Sequence, residues 1–271
     1  MSTLRVATLN IWHRSGPWPD RLRLIRGEIE RLRPALVGLQ EVSRDPDGDC
    51  QAAQIADGLG YHVTWAPAYE DFGNALLSRL PVSAAQTFAL PDLDSRERRS
   101  MLYAVVDSPF GALPVVVTHL NWRLDHGRVR MAQIRFLLAK LDELVPAGSP
   151  LLPPVLLGDF NAEPDSDEMR FLRGLSIVED RSAYFADAWL YAGDGSPGTT
   201  YDRNNDYART AREPSRRIDY ILVRGPDAAL RGEPVHTELA FAMPEVYENG
   251  RVWPSDHFGL CSDIWLTPRD Y

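Results

Sequence analysis

Pro154-Val155-Leu156-Leu157-Gly158-Asp159-Phe160-Asn161-Ala162-Glu163-Pro164 is the stretch whose reading decides the fold. A short apolar run of strand length stops at Gly158, and Asp159 and Asn161 follow two residues apart. Side chains alternate along a strand, so these two polar groups face the same way at its end. In α/β proteins the ends of buried strands are where chemistry gathers.

Upstream, residues 4–12 alternate apolar and polar and read as a strand ending at Asn10-Ile11-Trp12. Leu22, Leu24, Ile25, Ile29 and Leu32 recur at helical spacing within residues 21–32, a helix stopped by Pro34. Residues 35–39 form a buried strand closing on Gln40-Glu41, and residues 50–59 a second helix ended by Gly60. Strand-like pieces follow at 61–65, 74–77, 82–88, 101–106 and 113–118, separated by turn residues such as Pro81 and Pro109-Phe110-Gly111. Residues 129–145 are the longest amphipathic helix, and a short helix from about 166 to 172 follows the opening strand. Residues 182–215 are weakly periodic and rich in Gly, Asp, Asn and Arg, which reads as a long rim of functional type. The last strands lie at 218–223, 238–242 and 258–266. Strands alternating with helices, several as neighbouring hairpins, point to a mixed-sheet α/β protein with its helices outside.

Composition narrows the function. The 271 residues are 44% apolar and 25% charged, an ordinary globular balance, and their number alone allows one large or two small domains. No apolar run is long enough to span a membrane, and Met1 leads straight into a strand-like segment without a secretory leader, so a cytoplasmic location is the default expectation. Cys50 and Cys261 are too few for a disulfide framework or a zinc site and are expected to be packing residues. The net charge of −9 disfavours a protein that coats nucleic acid, though not a nuclease, whose metal site must itself be acidic.

Polar residues recur at the strand ends. Asn10, Glu41, His119, Asp159 with Asn161, Asp219, and Asp256-His257 each terminate or flank a strand, and hardly a Ser or Cys nucleophile stands among them. Acids and amides of this kind bind a hard cation through oxygen, and the histidines suit proton transfer or charge stabilisation on an anion. Leu9-Asn10, Leu39-Gln40-Glu41-Val42, Gly73-Asn74-Ala75-Leu76-Leu77-Ser78, Thr118-His119-Leu120, Gly158-Asp159-Phe160-Asn161, Arg217-Ile218-Asp219-Tyr220 and Ser255-Asp256-His257, in this order and over nearly the whole chain, resemble the endonuclease/exonuclease/phosphatase superfamily.

The resemblance implies a deoxyribonuclease-like four-layer α/β/β/α sandwich, two mixed β-sheets packed face to face with helices outside, and a single domain over residues 1–271. It further implies magnesium, with manganese able to substitute and one or two ions left open, held by Glu41 with Asn10 and Asp256. Asp159 is then expected to orient and deprotonate a water, Asn161 to hold a phosphate oxygen or that water, and Asp219 to pair with His257. His119 is expected to donate to a phosphate oxygen or assist the leaving group. The implied reaction is hydrolysis of a phosphodiester (nucleic acid, nucleotide, or a small or lipid phosphodiester), with a phosphomonoesterase or a binding protein as alternatives. A monomer is expected, without stable membrane insertion.

Several residues have plainer readings. Asp159 and Asn161 also suit an Asx-turn, and Pro164 rules out a calcium loop there. Asp202, Asn204, Asp206 and Glu213 fall on calcium-loop spacing, but Tyr207 replaces its glycine and Pro214 blocks the following helix. Arg96, Arg98 and Arg99 read as a solvated face ahead of a phosphate clamp, and Arg123 and His126 as secondary contacts. Trp12, Trp18, Trp122 and Trp253 flank the motifs and suit either a cleft wall or packing.

Overall fold

The structure, a computed structural model, describes residues 2–45, 47–48, 50–225, 227–248 and 250–268. In chain order its first half runs β1 (Thr3–Asn10), α1 (Trp18–Leu32), β2 (Leu36–Ser43), α2 (Gln51–Ala56), β3 (His62–Tyr69), β4 (Phe72–Ser78), β5 (Val82–Ala89), β6 (Ser100–Ser108) and β7 (Gly111–His119). The second half runs α3 (Gly127–Leu144), β8 (Val155–Asp159), α4 (Asp167–Leu172), β9 (Phe185–Asp187), α5 (Ala188–Ala192), β10 (Asp219–Arg224), β11 (Glu233–Ala240), β12 (Glu245–Tyr247), β13 (Gly250–Val252) and β14 (Gly259–Trp265).

Two six-stranded mixed sheets, ordered β11-β14-β1-β2-β4-β3 and β5-β6-β7-β8-β10-β9, carry the architecture. Strand alternation sorts their side chains into three cores. Leu4, Val6 and Leu36 of one sheet meet Val115, Val117, Val155, Leu157 and Ile221 of the other between the sheets. Ala7, Leu9, Val37 and Leu39 face outward onto Ile25, Ile29 and Ile55 of α1 and α2. Val116, Leu156 and Leu222 face the other way onto Ile134, Leu137, Met169 and Leu172 of α3 and α4. Three interlayer cores mean four layers, α/β/β/α, as the resemblance implies.

Glycine is required where the layers come closest. A Cβ on Gly38 would sit 2.8 Å from the Leu157 Cβ across the sheets, and one on Gly158 would sit 2.2 Å from the Thr118 carbonyl oxygen. The apolar run therefore has to break at Gly158 just before its polar end. Helix α1 starts at Trp18, earlier than its apolar spacing predicts, because Pro19 suits its first turn. It stops at Arg33 in the left-handed conformation before Pro34. The segment 182–215, expected to be a long, weakly periodic rim, contains β9, α5 and a 3-10 turn at Ala208–Ala211. Elements of three to five residues are too short for periodicity to reveal. No helix among the described residues is long and apolar enough to cross a membrane.

Candidate active site

Strand register places the polar ends together. Asn10, His119, Asp159 and Asp219 share parity with the residues that fill the inter-sheet core, so all four side chains emerge between the sheets at one edge. Strand β7 runs parallel to β8 and pairs His119 with Asp159, and β10 runs antiparallel to β8 and pairs Asp219 with Asp159. Asp159 and Asp219 are almost fully buried.

Glu41 reaches the site by a different device. Strict alternation would turn it toward the helices, since Gln40 faces the inter-sheet side and bonds Thr8 there at 3.2 Å. The β2–β4 register shifts between Leu39 and Val42, and Glu41 adopts φ +57, which swings its carboxylate to the cleft. Asn161 also has positive φ, +50, so two non-glycine residues of the site sit in a sparsely populated backbone region. The Asn161 N–H donates to Asp159 Oδ1 at 2.8 Å, so the plain Asx-turn is present as well as the convergence.

The side chains form one network. The Asn10 amide donates to Glu41 Oε1 at 3.2 Å and to Asp159 Oδ2 at 3.0 Å. Ser255 donates to the Asn10 carbonyl at 2.6 Å and lies 3.2 Å from Asp256 Oδ1, tying the segment before β14 to the end of β1. His257 Nδ1 meets Asp219 Oδ2 at 2.9 Å, leaving Nε2 at 3.8 Å from Asp159 Oδ2. Asp159, Asp219 and His257 offer ligand atoms within 4.8 Å of one another, a spacing that could also hold an ion. Glu41, His119, Asp159, Asn161, Asp256 and His257 line a cavity of about 440 Å³, with Trp12 and Tyr201 at its wall. Asn10 and Asp219 stand behind that lining.

Burial and charge set the protonation states. Burial, then the charge of Asp219, pushes the Asp159 carboxyl up to about 7. Burial, then the charge of Glu41, raises Asp256 to about 6. Burial opposes the charged form of His257, but Asp219, Asp256 and Asp159 outweigh it and hold the imidazolium well above the usual range. His119 goes the other way: burial first, then Arg99, hold it well below the ordinary histidine range. Arg99 is itself buried and contacts His119 Nδ1 at 2.9 Å. Arginine only donates, so Nδ1 carries the lone pair and the ring proton sits on Nε2, which lies 3.1 Å from the Asn161 amide nitrogen and 3.4 Å from Asp159 Oδ2.

The donor set fits a hard divalent cation. Glu41 and Asp256 offer oxygen, the ligand type magnesium prefers, while Asn10 turns its amide N–H to Glu41 and its Oδ1 accepts from the Trp12 N–H at 3.0 Å. Buried Asp219 Oδ1 has no hydrogen-bond partner among the described residues.

Arg99 was grouped with Arg96 and Arg98 in the sequence reading, yet the odd position turns inward while Arg96 and Arg98 stay exposed. Arg21 gave no sequence signal. It is buried in α1, and its guanidinium donates to the Ile11, His13, Ser15 and Pro254 carbonyls, bracing the loops after β1 and before Asp256. Arg217 forms a buried pair with Asp187 at 2.9 Å, which anchors the segment 182–215 beside Asp219. The calcium-loop spacing does not converge: Asp206 is engaged by Arg251, Arg209 and Trp253, and Glu213 by Arg216. Trp18 bonds Gln54, so among the four tryptophans Trp12 and Trp122 wall the cleft and Trp18 and Trp253 are packed. His126 contacts Asn121 at 3.2 Å, outside the cavity lining. Cys50 and Cys261 are buried free thiols.

Comparison with known proteins places this geometry. The chain is 26% identical to human nocturnin over 92% of its own length and 59% of nocturnin's. It is 26% identical to human protein angel homolog 2 over 58% of its length and 31% of that relative's. It thus spans under two thirds of either curated relative. The structure of D. rerio TDP2 complexed with single strand DNA product superposes with a TM-score of 0.77 at 21% identity, covering 97% of this chain and 99% of that one. The family model described as Endonuclease/Exonuclease/phosphatase family matches residues 7–257, and the chain belongs to that family.

Proposed function

We propose that the chain is a magnesium-dependent phosphodiesterase, acting as one domain and as a monomer, with manganese able to replace magnesium. The observation that carries this reading is the convergence of Glu41, Asp159, Asp256 and His257 on one cavity, with Asn10 and Asp219 behind it. Glu41 and Asp256 would hold the cation, with the expected ligand Asn10 instead fixing the Glu41 carboxylate through its amide N–H; when bound, the cation supplies charge neutralisation on the phosphate oxygens.

The chain's own groups do the rest. Asp159, fixed by Asn10 and by the Asn161 N–H and raised to about 7, is poised to take a proton from the attacking water at neutral pH. His257, kept charged by Asp219, offers a positive Nε2 toward the phosphate. His119, neutral with its proton on Nε2, can donate to a phosphate oxygen or the leaving group. Asn161 holds the second phosphate oxygen or the water. Water attacks phosphorus, the opposite P–O bond breaks, and no covalent enzyme intermediate is needed, since no Ser or Cys among the described residues lines the cavity.

The substrate is a nucleic acid, a nucleotide or another phosphodiester, and TDP2 bound to a DNA product supports the first. A phosphomonoesterase is the competing reading; it needs basic residues beside the cleft, and Arg96, Arg98 and Arg123 are there. Two buried free thiols suit a reducing, cytoplasmic compartment. Hydrolysis of bis-(p-nitrophenyl) phosphate against p-nitrophenyl phosphate, each with magnesium and with chelator, tests the reading. Diesterase activity abolished by chelator is expected; activity surviving chelator overturns the metal mechanism, and faster monoester turnover overturns the diesterase assignment.

A further inference from the structure

The hydrolytic groups leave a neighbouring set of side chains unused. Beyond Glu41 the cleft continues into a cavity of about 680 Å³ lined by Tyr69, Arg96, Arg98, Trp122 and Arg123 together with Glu70 and Glu97. Trp122 lines this cavity, the catalytic one and the space between them, so the trough is continuous. Its ring is 48% exposed, with the Arg123 guanidinium 5.5 Å from its centroid. Tyr69 is 41% exposed and stacks on Phe72 at 5.1 Å.

The cations here differ from most others in the chain. Arg5, Arg99, Arg130, Arg217 and Arg251 each face a carboxylate. Among the described residues no carboxylate pairs with Arg96, Arg98 or Arg123, while Glu97 beside them is taken by Arg99. In a chain of net charge −9, three unpartnered guanidiniums gathered around one exposed indole form a local anion site. The loop presenting Arg96 is also strained: Leu93, Asp94 and Arg96 all have positive φ, at +44, +67 and +60. Such residues are strained and persist where the surroundings over-determine them.

We propose that this trough is a nucleotide subsite, in which Trp122 stacks on the base beside the scissile phosphate and Arg96, Arg98 and Arg123 hold the adjoining phosphate of a single strand. It rests on the phosphodiesterase reading and narrows its substrate to a strand with an exposed base and a second phosphate. Base faces are hidden in a duplex and open in a single strand, and stacking tolerates any base. A choline or ethanolamine phosphodiester has neither an aromatic face for the indole nor a second phosphate for the arginines, and an inositol ring has no aromatic face to stack.

The test is binding, read by anisotropy with labelled thymidine tetranucleotide and with an abasic tetranucleotide of the same backbone. The protein is the magnesium-loaded Asp159→Asn variant, in which turnover is silent. The thymidine strand is expected to bind at least about fivefold tighter than the abasic one, the low end of one stacked base. Trp122→Ala should erase that preference and Trp122→Phe retain most of it. Arg96→Gln with Arg98→Gln should weaken both ligands alike and flatten the salt dependence by roughly 0.7 log units per arginine for each decade of salt. Equal affinity for the two ligands, no binding of either, or a preference that survives Trp122→Ala would overturn the proposal. Failure of the hydrolytic reading shows separately, in the bis-(p-nitrophenyl) phosphate assay.

Discussion

The floor of the cleft and the trough beside it use charge in opposite ways. On the floor, Asp159, Asp219 and His257 are nearly inaccessible to solvent, sheet register spaces Asp159 against Asp219, and burial with charged neighbours shifts the pKa of Asp159 and His257. In the trough, Arg96, Arg98, Trp122 and Arg123 are exposed, carried on loops, and without carboxylate partners among the described residues. Reaction chemistry needs fixed distances and shifted pKa values, which burial between two sheets provides. Recognition of a chain-like substrate needs accessible faces and unspent charge, which burial would remove.

The largest effect that would break this division lies at Asp159. Asp159→Asn should cost about a thousandfold in kcat/KM on a diester substrate, the scale of lost general-base catalysis. The same variant should melt higher than wild type at pH 8 without metal. Asp159 is raised to about 7, above its unfolded value, so its ionised form penalises the fold at pH 8 and that penalty fades as pH falls through 7. A variant that loses activity while gaining stability marks the floor as functional, and paired calorimetry and kinetics check it.

Next comes Arg99→Gln, expected to lower activity about ten- to a hundredfold, within the range for one positioned proton donor. With the arginine gone, His119 loses a repelling charge and its pKa rises. The acidic limb that Asp159 already gives the pH–rate profile should then steepen as a second ionisation joins it; an unchanged profile would show that Arg99 only packs.

In the trough the effects are smaller and of a different kind. Arg98→Gln should cost only a few fold in affinity and act through salt dependence, leaving the pH profile where it was. A shifted profile would join the two regions and remove the distinction. Smallest of all, Cys50→Ser and Cys261→Ser should change kcat by less than about twofold. Burial pushes the Cys261 thiol up to about 12, so it should resist thiol reagents at pH 8 until the chain is unfolded.

Much of the floor was legible because strand ends obey a local rule. Apolar alternation located β1, β7, β8 and β10, and the polar residue after each run pointed to the shared edge. Where a bulge breaks the alternation, as at Glu41, the period-two rule gives the wrong face; only the resemblance put Glu41 in the site. Arg99 and Arg21 were illegible for another reason, since an arginine's spacing does not say that its head will find buried carbonyls or a histidine from distant strands. The trough was legible in parts only. Arg96, Arg98, Trp122 and Arg123 come from two loops that approach one another once β6 and β7 have paired, and no window of sequence contains that encounter.

The half-buried acids beside Asn10, Glu41 and Asp256, are assigned to a catalytic cation. The most direct test of that assignment is a magnesium titration of the metal-stripped chain and of Glu41→Gln, following bis-(p-nitrophenyl) phosphate hydrolysis. Activity should be absent without metal, rise saturably with magnesium, and require at least about tenfold more magnesium in Glu41→Gln. Hydrolysis by the stripped chain, or the same magnesium dependence in both proteins, would contradict it.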